Sequence, residues 1–315
     1  MTKSQSNPLR KITAIVNPSS GGSPAPLREL NEAFAPYDST IVVTQEDEDG
    51  SRFCHEAVER GVDLVVVFGG DGTVSQVLGA LAGTEVPVLV LRGGTGNLIA
   101  DELGLPKEVA ETLVLIAGGT IHTRRVDLGR INGKTWCVLR CGCGLETTAL
   151  QETQQGGKAD WGKLAYAGGL LKAIAEQEVI DFRVWIDEAS DPIEQSGVAL
   201  TVANAGRIGV GTLQISPTVD MSDGLLDVCL IEKAALGTLV ELLSINRSGN
   251  PKQPPQLDDH SLIRLQKARR VRVETGKPVD YQVDGDVVGK TPFEIEVVPG
   301  AALLVVAPQV EEEGT

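Results

Sequence analysis

Four short runs of β-branched residues, separated by amphipathic stretches, constrain the fold of the first 119 residues more than any other feature. The runs are ITAIV, STIVVT, DLVVVF and VPVLVL, the first beginning after Lys11. Short buried strands that alternate with helices are typical of a parallel sheet wrapped by helices. One intervening segment, Ser51 to Arg60, carries apolar residues at i, i+4 spacing and is predicted to be a helix. The sequence therefore predicts an N-terminal, doubly wound, parallel α/β domain.

The pattern changes near Ile121, where hairpin signals replace the alternation of strands and helices. The segments RRVDLGRI and KTWCVLRC flank Asn132-Gly133, and this dipeptide predicts a two-residue turn between antiparallel strands. Further strand-like segments follow: LLDVCLI, RVRVE, DYQVDG and FEIEVV. Helices are predicted at about Lys158 to Glu178 and Ala234 to Ile245. The second part of the chain is therefore expected to be rich in antiparallel strands.

The length of 315 residues leaves room for two domains, since about 150 residues is a common domain size. We predict an α/β domain at 1–125 and a β-rich domain at 126–300, with the last strand in 301–315 returning to the first. No apolar run approaches the roughly 18 residues needed to cross a bilayer, and no apolar segment follows the basic N-terminus. The sequence thus predicts a cytoplasmic protein without a transmembrane segment.

A net charge of −15 is expected to repel nucleic acid and anionic membranes, so no nucleic-acid partner is predicted and any membrane contact should be local and peripheral. One basic cluster is present, for which a solvated strand face is favoured over a membrane patch: Arg264, Lys267, Arg269, Arg270 and Arg272. The five cysteines are an odd number without metal-type spacing, which indicates reduced, buried thiols. The oligomeric state is not fixed by the sequence, and a homodimer is kept as an option.

Three glycine-rich loops follow predicted strands: Asn17–Gly22, Gly69–Thr73 and Gly93–Asn97. Because the carboxyl ends of parallel strands meet at one edge of a sheet, these loops are expected to converge. Glycine lets backbone N–H groups approach phosphate oxygens, and the helix that follows points its positive end at them. Three such loops favour a nucleotide site over three unrelated turns.

The second loop places Asp71 between two glycines, where a phosphate would lie and where a magnesium ion could offset the charge. The alternative is an ordinary turn in which Thr73 and Gln76 form a capping box at the start of the next helix. We expect that cap to form, but it does not explain Asp71. The segment 157–164 resembles a Walker A loop, but Leu164 stands where magnesium needs Ser or Thr, so we reject it.

Two acidic motifs lie in the second domain. In Asp220-Met-Ser-Asp-Gly-Leu-Leu-Asp227, the Asp223 side chain and nearby carbonyls could hold a hard cation, and an Asx-turn is an equally good interpretation. In Gln282-Val-Asp-Gly-Asp286, a hairpin turn is the favoured interpretation of the motif alone. A kinase that acts on an alcohol, however, needs a carboxylate to accept the hydroxyl proton. Asp286 is the candidate, and Asp284, expected on the same strand face, is its rival.

Taken together, these motifs resemble the diacylglycerol kinase catalytic family, which includes bacterial lipid kinases and sphingosine and ceramide kinases. NPSSGG is similar to the family's NPxSG, VVVFGGDGTVSQVL to its GGDGT block, and GGTGNLIADELGLP to its GTxN block. GKLAYAGG, VANAGRIGVGTLQISP, DGLLDV and YQVDGD follow in the family's order. The resemblance spans nearly the whole chain. It implies a phosphofructokinase-like nucleotide domain and a β-sandwich lipid domain.

The resemblance also implies an ATP-dependent and magnesium-dependent kinase that phosphorylates a lipid hydroxyl, of the diacylglycerol or sphingoid type, at the membrane surface. Asp286 would accept the proton, and Asp223, with the carbonyls of Asp220 and Leu225, would hold a structural magnesium. The implied ATP site comprises Asn17, Pro18, Ser19, Ser20, Gly21, Thr44, Gly69, Gly70, Asp71, Gly72, Thr73, Ser75, Gln76, Thr95 and Asn97.

The chain departs from the family's pattern at three places. Ser23-Pro24 replaces a basic residue, Ser75-Gln76 replaces the common Asn-Glu, and Asp286 replaces Glu. The nearest alternative function is an NAD kinase, which shares the GGDGT loop, and the DGLLDV and YQVDGD motifs argue against it. A catalytically silent nucleotide or lipid sensor is the alternative from another class, and the acids at 71, 223 and 286 argue against it.

Overall fold

The computed structural model describes residues 3–4, 9–20, 24–45, 50–145, 147, 178–207, 219–232 and 263–308. The chain divides into two compact units. The first combines Met1–Val126 with Gly300–Thr315, and the second is Asp127–Pro299. The predicted helices at 158–178 and 234–245, and the rejected segment 157–164, lie outside the described residues except for Glu178 at the edge of the first.

A parallel sheet forms the centre of the first unit, as the β-branched runs predict. Its strand order is β3, β2, β4, β5, and the end of the final strand, β17, pairs parallel to β5 with Leu304 opposite Val88. These strands are β2 (Lys11–Val16), β3 (Asp38–Val43), β4 (Leu64–Gly69), β5 (Val88–Arg92) and β17 (Phe293–Val306). The short strand β1 (Lys3–Ser4) pairs with the start of β6 (His122–Ile131).

Helices cover this sheet because alternate strand residues point to opposite faces. Ile12, Ala14 and Val16 pack in one apolar cluster with Leu30 and Phe34 of the first helix. The helical segments are α1 (Leu27–Phe34), α2 (Ser51–Glu59), α3 (Asp71–Ala80), α4 (Leu98–Glu102), α5 (Val109–Leu113) and a kinked 3₁₀ segment (Val114–Gly119). The helix predicted at Ser51 to Arg60 is confirmed as α2, which buries Cys54 and Ala57.

Antiparallel strands build the second unit in two layers. One layer is a six-stranded sheet of order β13, β12, β11, β8, β15, β16, and the other contains β10, β9, β14 and the first part of β17 in that order, with the hairpin of β6 and β7. The remaining strands are β7 (Thr135–Cys137), β8 (Arg140–Gly144), β9 (Ile180–Ile186), β10 (Ile193–Gly197), β11 (Ala199–Ala203), β12 (Leu226–Ile231), β13 (Ile263–Ala268), β14 (Arg270–Thr275), β15 (Asp280–Val283) and β16 (Asp286–Lys290).

The two layers share one apolar core. Phe182 and Phe293 from one sheet lie in the same buried cluster as Leu200 and Tyr281 from the other. Burial raises the pKa of Tyr281, which also stacks on Phe293 with ring centroids 4.7 Å apart. The predicted fold class, an α/β domain followed by an antiparallel β-sandwich, is confirmed.

Three local predictions in the second unit are wrong. The hairpin at Asn132 has a three-residue loop, because Ile131 pairs with Thr135. The segment KTWCVLRC is not one strand, since β7 and β8 belong to different sheets. FEIEVV and AALLVVA, predicted as separate strands, form the single strand β17.

Candidate active site

Hydrogen bonds join the three glycine loops at the carboxyl edge of the parallel sheet. The Asn17 N–H donates to Phe68 O at 2.8 Å, and the Gly93 N–H donates to Gly69 O at 3.0 Å. Side chains then link the loops to one another. Asn17 Nδ2 donates to Thr73 Oγ1 at 2.9 Å, and Ser20 Oγ donates to Gly93 O at 2.9 Å. The convergence expected from the sequence is therefore present within the first unit.

The second and third loops touch through glycine backbone. A Cβ atom at Gly94 would lie 2.5 Å from the Cα of Gly70, and one at Gly93 would lie 2.8 Å from the amide nitrogen of Gly69. Real Cβ contacts of this length do not occur, and backbone atoms have little room to move apart. Glycine is thus required at these positions for packing, in addition to any role in phosphate binding.

Helix α3 begins at Asp71, with Gly70 in an extended conformation as its N-cap and no side-chain hydrogen bond at that cap. The predicted capping box of Thr73 and Gln76 is wrong, because Thr73 lies inside the helix and its hydroxyl accepts from Asn17. The N–H groups at the N-terminus of a ten-residue helix are free of intrahelical partners and attract anions. Gly72 lies in this first turn, is exposed and has open space around its Cα hydrogens.

The Asp71 carboxylate contacts the third loop. Its Oδ1 accepts a hydrogen bond from the Ile99 N–H at 3.1 Å, in the first turn of α4. Its Oδ2 lies so close to Gly96 that a Cβ there would approach it to 2.7 Å. Asn97, the residue before α4, has a left-handed φ of 53°. Its Oδ1 accepts from the Gly94 N–H at 3.0 Å, and its Nδ2 donates to the Gly94 carbonyl at 2.6 Å. Asp71 and Asn97 together fix the shape of the third loop.

Arg92, at the end of β5, is a residue of this site that the sequence reasoning missed. Its guanidinium donates to Pro106 O at 2.9 Å, to Leu105 O at 2.8 Å and to Asp101 Oδ1 at 2.6 Å. The side chain is only 14% exposed. Arg92 therefore ties the end of β5 to residues 101–106, and the third loop lies between these two points. An arginine before a glycine loop carries no sequence signal for this role, because two of its three partners are backbone carbonyls.

The predicted nucleotide-site residues range from buried to exposed. The half-buried members are Asn17, Ser20, Gly70, Asp71, Ser75 and Asn97. Thr44 and Thr73 are buried, and the Thr44 hydroxyl donates to Val16 O. Ser75 Oγ is buried without a hydrogen-bond partner among the described residues. Gly21 lies outside the described residues. The exposed members are Pro18, Ser19, Gly72, Gln76 and Thr95.

In the second unit, Asp284 anchors the point where the chain leaves one sheet for the other. Its carboxylate accepts from the N–H groups of Val138 at 2.8 Å, Leu139 at 2.8 Å and Arg140 at 3.0 Å, between β7 and β8. The buried Asn204 donates from Nδ2 to the Val138 carbonyl at 2.8 Å on the same corner. Burial raises the pKa of the neighbouring Cys137 thiol well above its ordinary value, and the charge of Asp284 raises it further.

Asp286 differs from Asp284 in conformation and exposure. Val283 pairs with Asp286, so Asp284 and Gly285 form a two-residue turn with φ of 51° and 101°. The hairpin interpretation of this motif is confirmed. The expectation that both acids project from one strand face is wrong, because Asp284 belongs to the turn. Asp286 is exposed at the start of β16, an edge strand of its sheet among the described residues.

The turn at Asp223 is an Asx-turn. Asp223 Oδ1 accepts from the Leu225 N–H at 3.0 Å, and Asp220 Oδ1 accepts from the Ser222 N–H at 3.0 Å. The other oxygen, Oδ2, accepts a hydrogen bond from the Lys267 ammonium at 2.6 Å. No group of three or more His, Cys, Asp or Glu side chains suited to a metal ion occurs in the described ranges. As the structure stands, both oxygens of Asp223 already have a donor, so the residues do not fit the magnesium site that the resemblance implies.

The basic cluster of the second unit is largely paired with acids. Arg264 pairs with Glu232, Arg270 with Glu294 and Arg272 with Glu274. Hydrogen bonds from Arg272 lower the pKa of Glu274, with the charge of Arg183 adding to the effect. These pairs leave little net positive charge for an anionic surface. They agree with the solvated strand face favoured by the sequence.

All five cysteines are buried and none is in a disulfide, as predicted. Within the described part of the chain, no helix combines the length and hydropathy needed to span a membrane.

Comparison with known proteins identifies the family. Residues 11–131 match the diacylglycerol kinase catalytic domain, and residues 141–307 match the YegS C-terminal NAD kinase beta sandwich-like domain. A protein of Mycobacterium tuberculosis named diacylglycerol kinase is 32% identical to this chain, and the match covers 96% of each. The chain belongs to the diacylglycerol kinase family. It is therefore a kinase, and the resemblance read from the motifs is confirmed.

Other relatives agree with this assignment. A protein of Stenotrophomonas maltophilia named "Probable lipid kinase YegS-like" is 32% identical over 82% of this chain and 84% of its own. The fold matches a crystal structure of a diacylglycerol kinase from Bacillus anthracis with a TM-score of 0.70, covering 95% of this chain and 98% of that one at 24% identity.

Proposed function

We propose that this kinase transfers the γ-phosphoryl group of ATP to the hydroxyl of a lipid, with a diacylglycerol as the first candidate acceptor. The observation that carries the proposal is the hydrogen-bonded set of three glycine loops around the N-terminus of α3. That N-terminus lies beside an exposed glycine, and the start of a helix attracts anions, an arrangement suited to phosphate oxygens.

The ATP site would be formed by the three loops, with Gly72 and Thr95 exposed toward the phosphates and Asn17, Ser20 and Asn97 fixing the loops. Magnesium that arrives with the nucleotide would neutralise charge on the β- and γ-phosphates. Asp71 would act at the same phosphates, since its carboxylate lies at the start of α3. The remaining members are those predicted from the sequence: Pro18, Ser19, Gly21, Thr44, Gly69, Gly70, Thr73, Ser75 and Gln76.

Asp286 would accept the proton of the lipid hydroxyl. Its exposed carboxylate supports this role, because a general base must reach a substrate oxygen. Asp284 is the weaker candidate, since three backbone N–H groups already donate to its carboxylate and occupy it in holding the chain.

The lipid substrate would be met at a membrane surface through peripheral contact, with the enzyme otherwise in the cytoplasm and a homodimer remaining an option. Phosphorylated lipid would then enter phospholipid metabolism.

The direct test is transfer of radiolabel from γ-labelled ATP, with magnesium, to lipids presented singly in mixed micelles. The panel is diacylglycerol, monoacylglycerol, sphingosine, ceramide and phosphatidylglycerol, with NAD as the control acceptor. We expect label in the organic phase with at least one lipid. Label that appears only on NAD would replace the proposal with an NAD kinase activity, and ATP binding without transfer to any acceptor would indicate a sensor.

A further inference from the structure

Four carboxylates lie in or beside the turn before β12, and three of them hold it through backbone N–H groups: Asp127, Asp220 and Asp223. Asp127, which is buried, accepts from the Gly224 N–H at 2.7 Å, and its own N–H donates to Met221 O at 2.6 Å. Asp223 lies in the turn, and Asp227 follows in the strand, with only 6% of its side chain exposed. Carboxylates brought together out of water repel one another, and a nearby cation relieves that repulsion.

Lys267 supplies positive charge at this place. It lies directly opposite Asp227 in the antiparallel pair of β12 and β13. Its Nζ is 2.6 Å from Asp223 Oδ2 and 3.3 Å from Asp227 Oδ2, so one ammonium contacts both acids. The Lys267 side chain is 31% exposed, so the ammonium is partly shielded from water where it meets the two acids.

Magnesium is a poor alternative at the same oxygens. It requires nearly octahedral oxygen coordination at about 2.0–2.1 Å. An ion bound to Asp223 Oδ2 would lie within about 5 Å of the Lys267 nitrogen, and two cations at that distance repel strongly unless the lysine moves away. The second oxygen of Asp223 is engaged by the Leu225 N–H.

We propose that Lys267 is the resident cation of this turn, and that its ammonium takes the place of the structural magnesium implied by the family resemblance. The wild-type turn then needs no divalent metal for its stability. This inference concerns the second unit alone and holds whether or not the proposed lipid substrate is correct.

The test compares thermal unfolding of the full chain in EDTA, in millimolar MgCl₂ and in millimolar CaCl₂ at matched ionic strength. Wild type should keep its Tm within about 1 °C across the three buffers, since nothing that binds only the native state is removed or added. Lys267→Met should lose about 2–8 °C in all three buffers, because Asp223 and Asp227 then lack their shared cation. Lys267→Arg should retain a metal-independent Tm.

Arg264→Met is the matched control. Arg264 is on the same strand and pairs with Glu232 at 2.7 Å, so the substitution removes the same charge away from the turn. Its Tm should fall less than that of Lys267→Met and should not respond to divalent metal.

Two results would overturn the proposal. One is a wild-type Tm that falls in EDTA, or stoichiometric metal in dialysed wild-type protein by emission spectroscopy. The other is a Lys267→Met protein that behaves like Arg264→Met. If Lys267→Met does not fold, the wild-type measurements and Lys267→Arg still decide, because a metal-dependent wild type contradicts the proposal by itself.

Discussion

The N–H of Ile99 donates a hydrogen bond to Oδ1 of Asp71, so the acid of the second glycine loop also caps the short helix that follows the third. Asp71 therefore has a structural contact within the first unit besides the phosphate role that we propose. The two roles depend on different properties of the side chain. The cap requires an oxygen acceptor, whereas the electrostatic role requires a charge.

Asp71→Asn should separate these roles, because the amide keeps an oxygen for Ile99 and removes the charge. We expect a Tm near that of wild type and a kcat lower by at least about 10², as when one electrostatic group of a reaction centre is removed. Asp71→Ala removes the acceptor too and should also lose about 1 kcal/mol of unfolding free energy. Initial rates and thermal melts check both. Wild-type turnover by Asp71→Asn would leave Asp71 as a helix cap only.

Gly94→Ala and Gly72→Val should fail in different ways. A methyl group at Gly94 would meet the Cα of Gly70 at 2.5 Å, so we expect a stability loss of about 1–3 kcal/mol together with weaker nucleotide binding. Gly72 has open space, so Gly72→Val should fold normally but block backbone approach to the phosphates. Calorimetric titration with ATP and thermal melts distinguish them. Gly72→Val with wild-type ATP affinity would show that phosphates do not approach this helix end.

The sequence predicted the parallel sheet and the convergence of its loops because both follow from local patterns. Buried β-branched runs mark the strands, and a parallel sheet brings their carboxyl ends together. The failures at this edge involve side-chain partners. Thr73 was expected to cap its own helix, but its hydroxyl accepts from Asn17, 56 residues earlier. The role of Arg92 has no local signal, because two of its three partners are backbone carbonyls.

The second unit was harder to predict for the same reason. The break between β7 and β8 is held by Asp284, about 145 residues later in the chain, and no local signal at Val138 announces it. The partner of Asp223 is Lys267, which the sequence grouped with a solvated basic cluster. Antiparallel pairing places such residues together, and the pairing register is not readable from either segment alone.

Arg92 should act as a positioning residue for the third loop. Arg92→Met removes three donors, and Arg92→Lys cannot restore their fork geometry, so both should raise the KM for ATP about tenfold while the KM for the lipid acceptor stays unchanged. Arg125→Met is the control in the same unit, since Arg125 pairs with the exposed Glu85. A change in Tm without a change in the KM for ATP would reduce Arg92 to a structural role.

Asp286→Asn should lower kcat by about 10² to 10⁴ while ATP affinity and Tm stay nearly constant, because the side chain is exposed and general-base assistance is typically of that size.

Asp284→Asn should instead lower the stability and leave the chemical step nearly unchanged. Its new amide group would face a backbone N–H of Val138, Leu139 or Arg140, and the lost acceptor should reduce stability by about 1–3 kcal/mol. Turnover per folded molecule should persist. Single-turnover rates, ATP titrations and melts of both variants decide between the acids. Loss of turnover in Asp284→Asn at an unchanged Tm, with Asp286→Asn active, would move the assignment two residues back. If neither variant is slower, phosphoryl transfer in this enzyme depends on positioning without a carboxylate base.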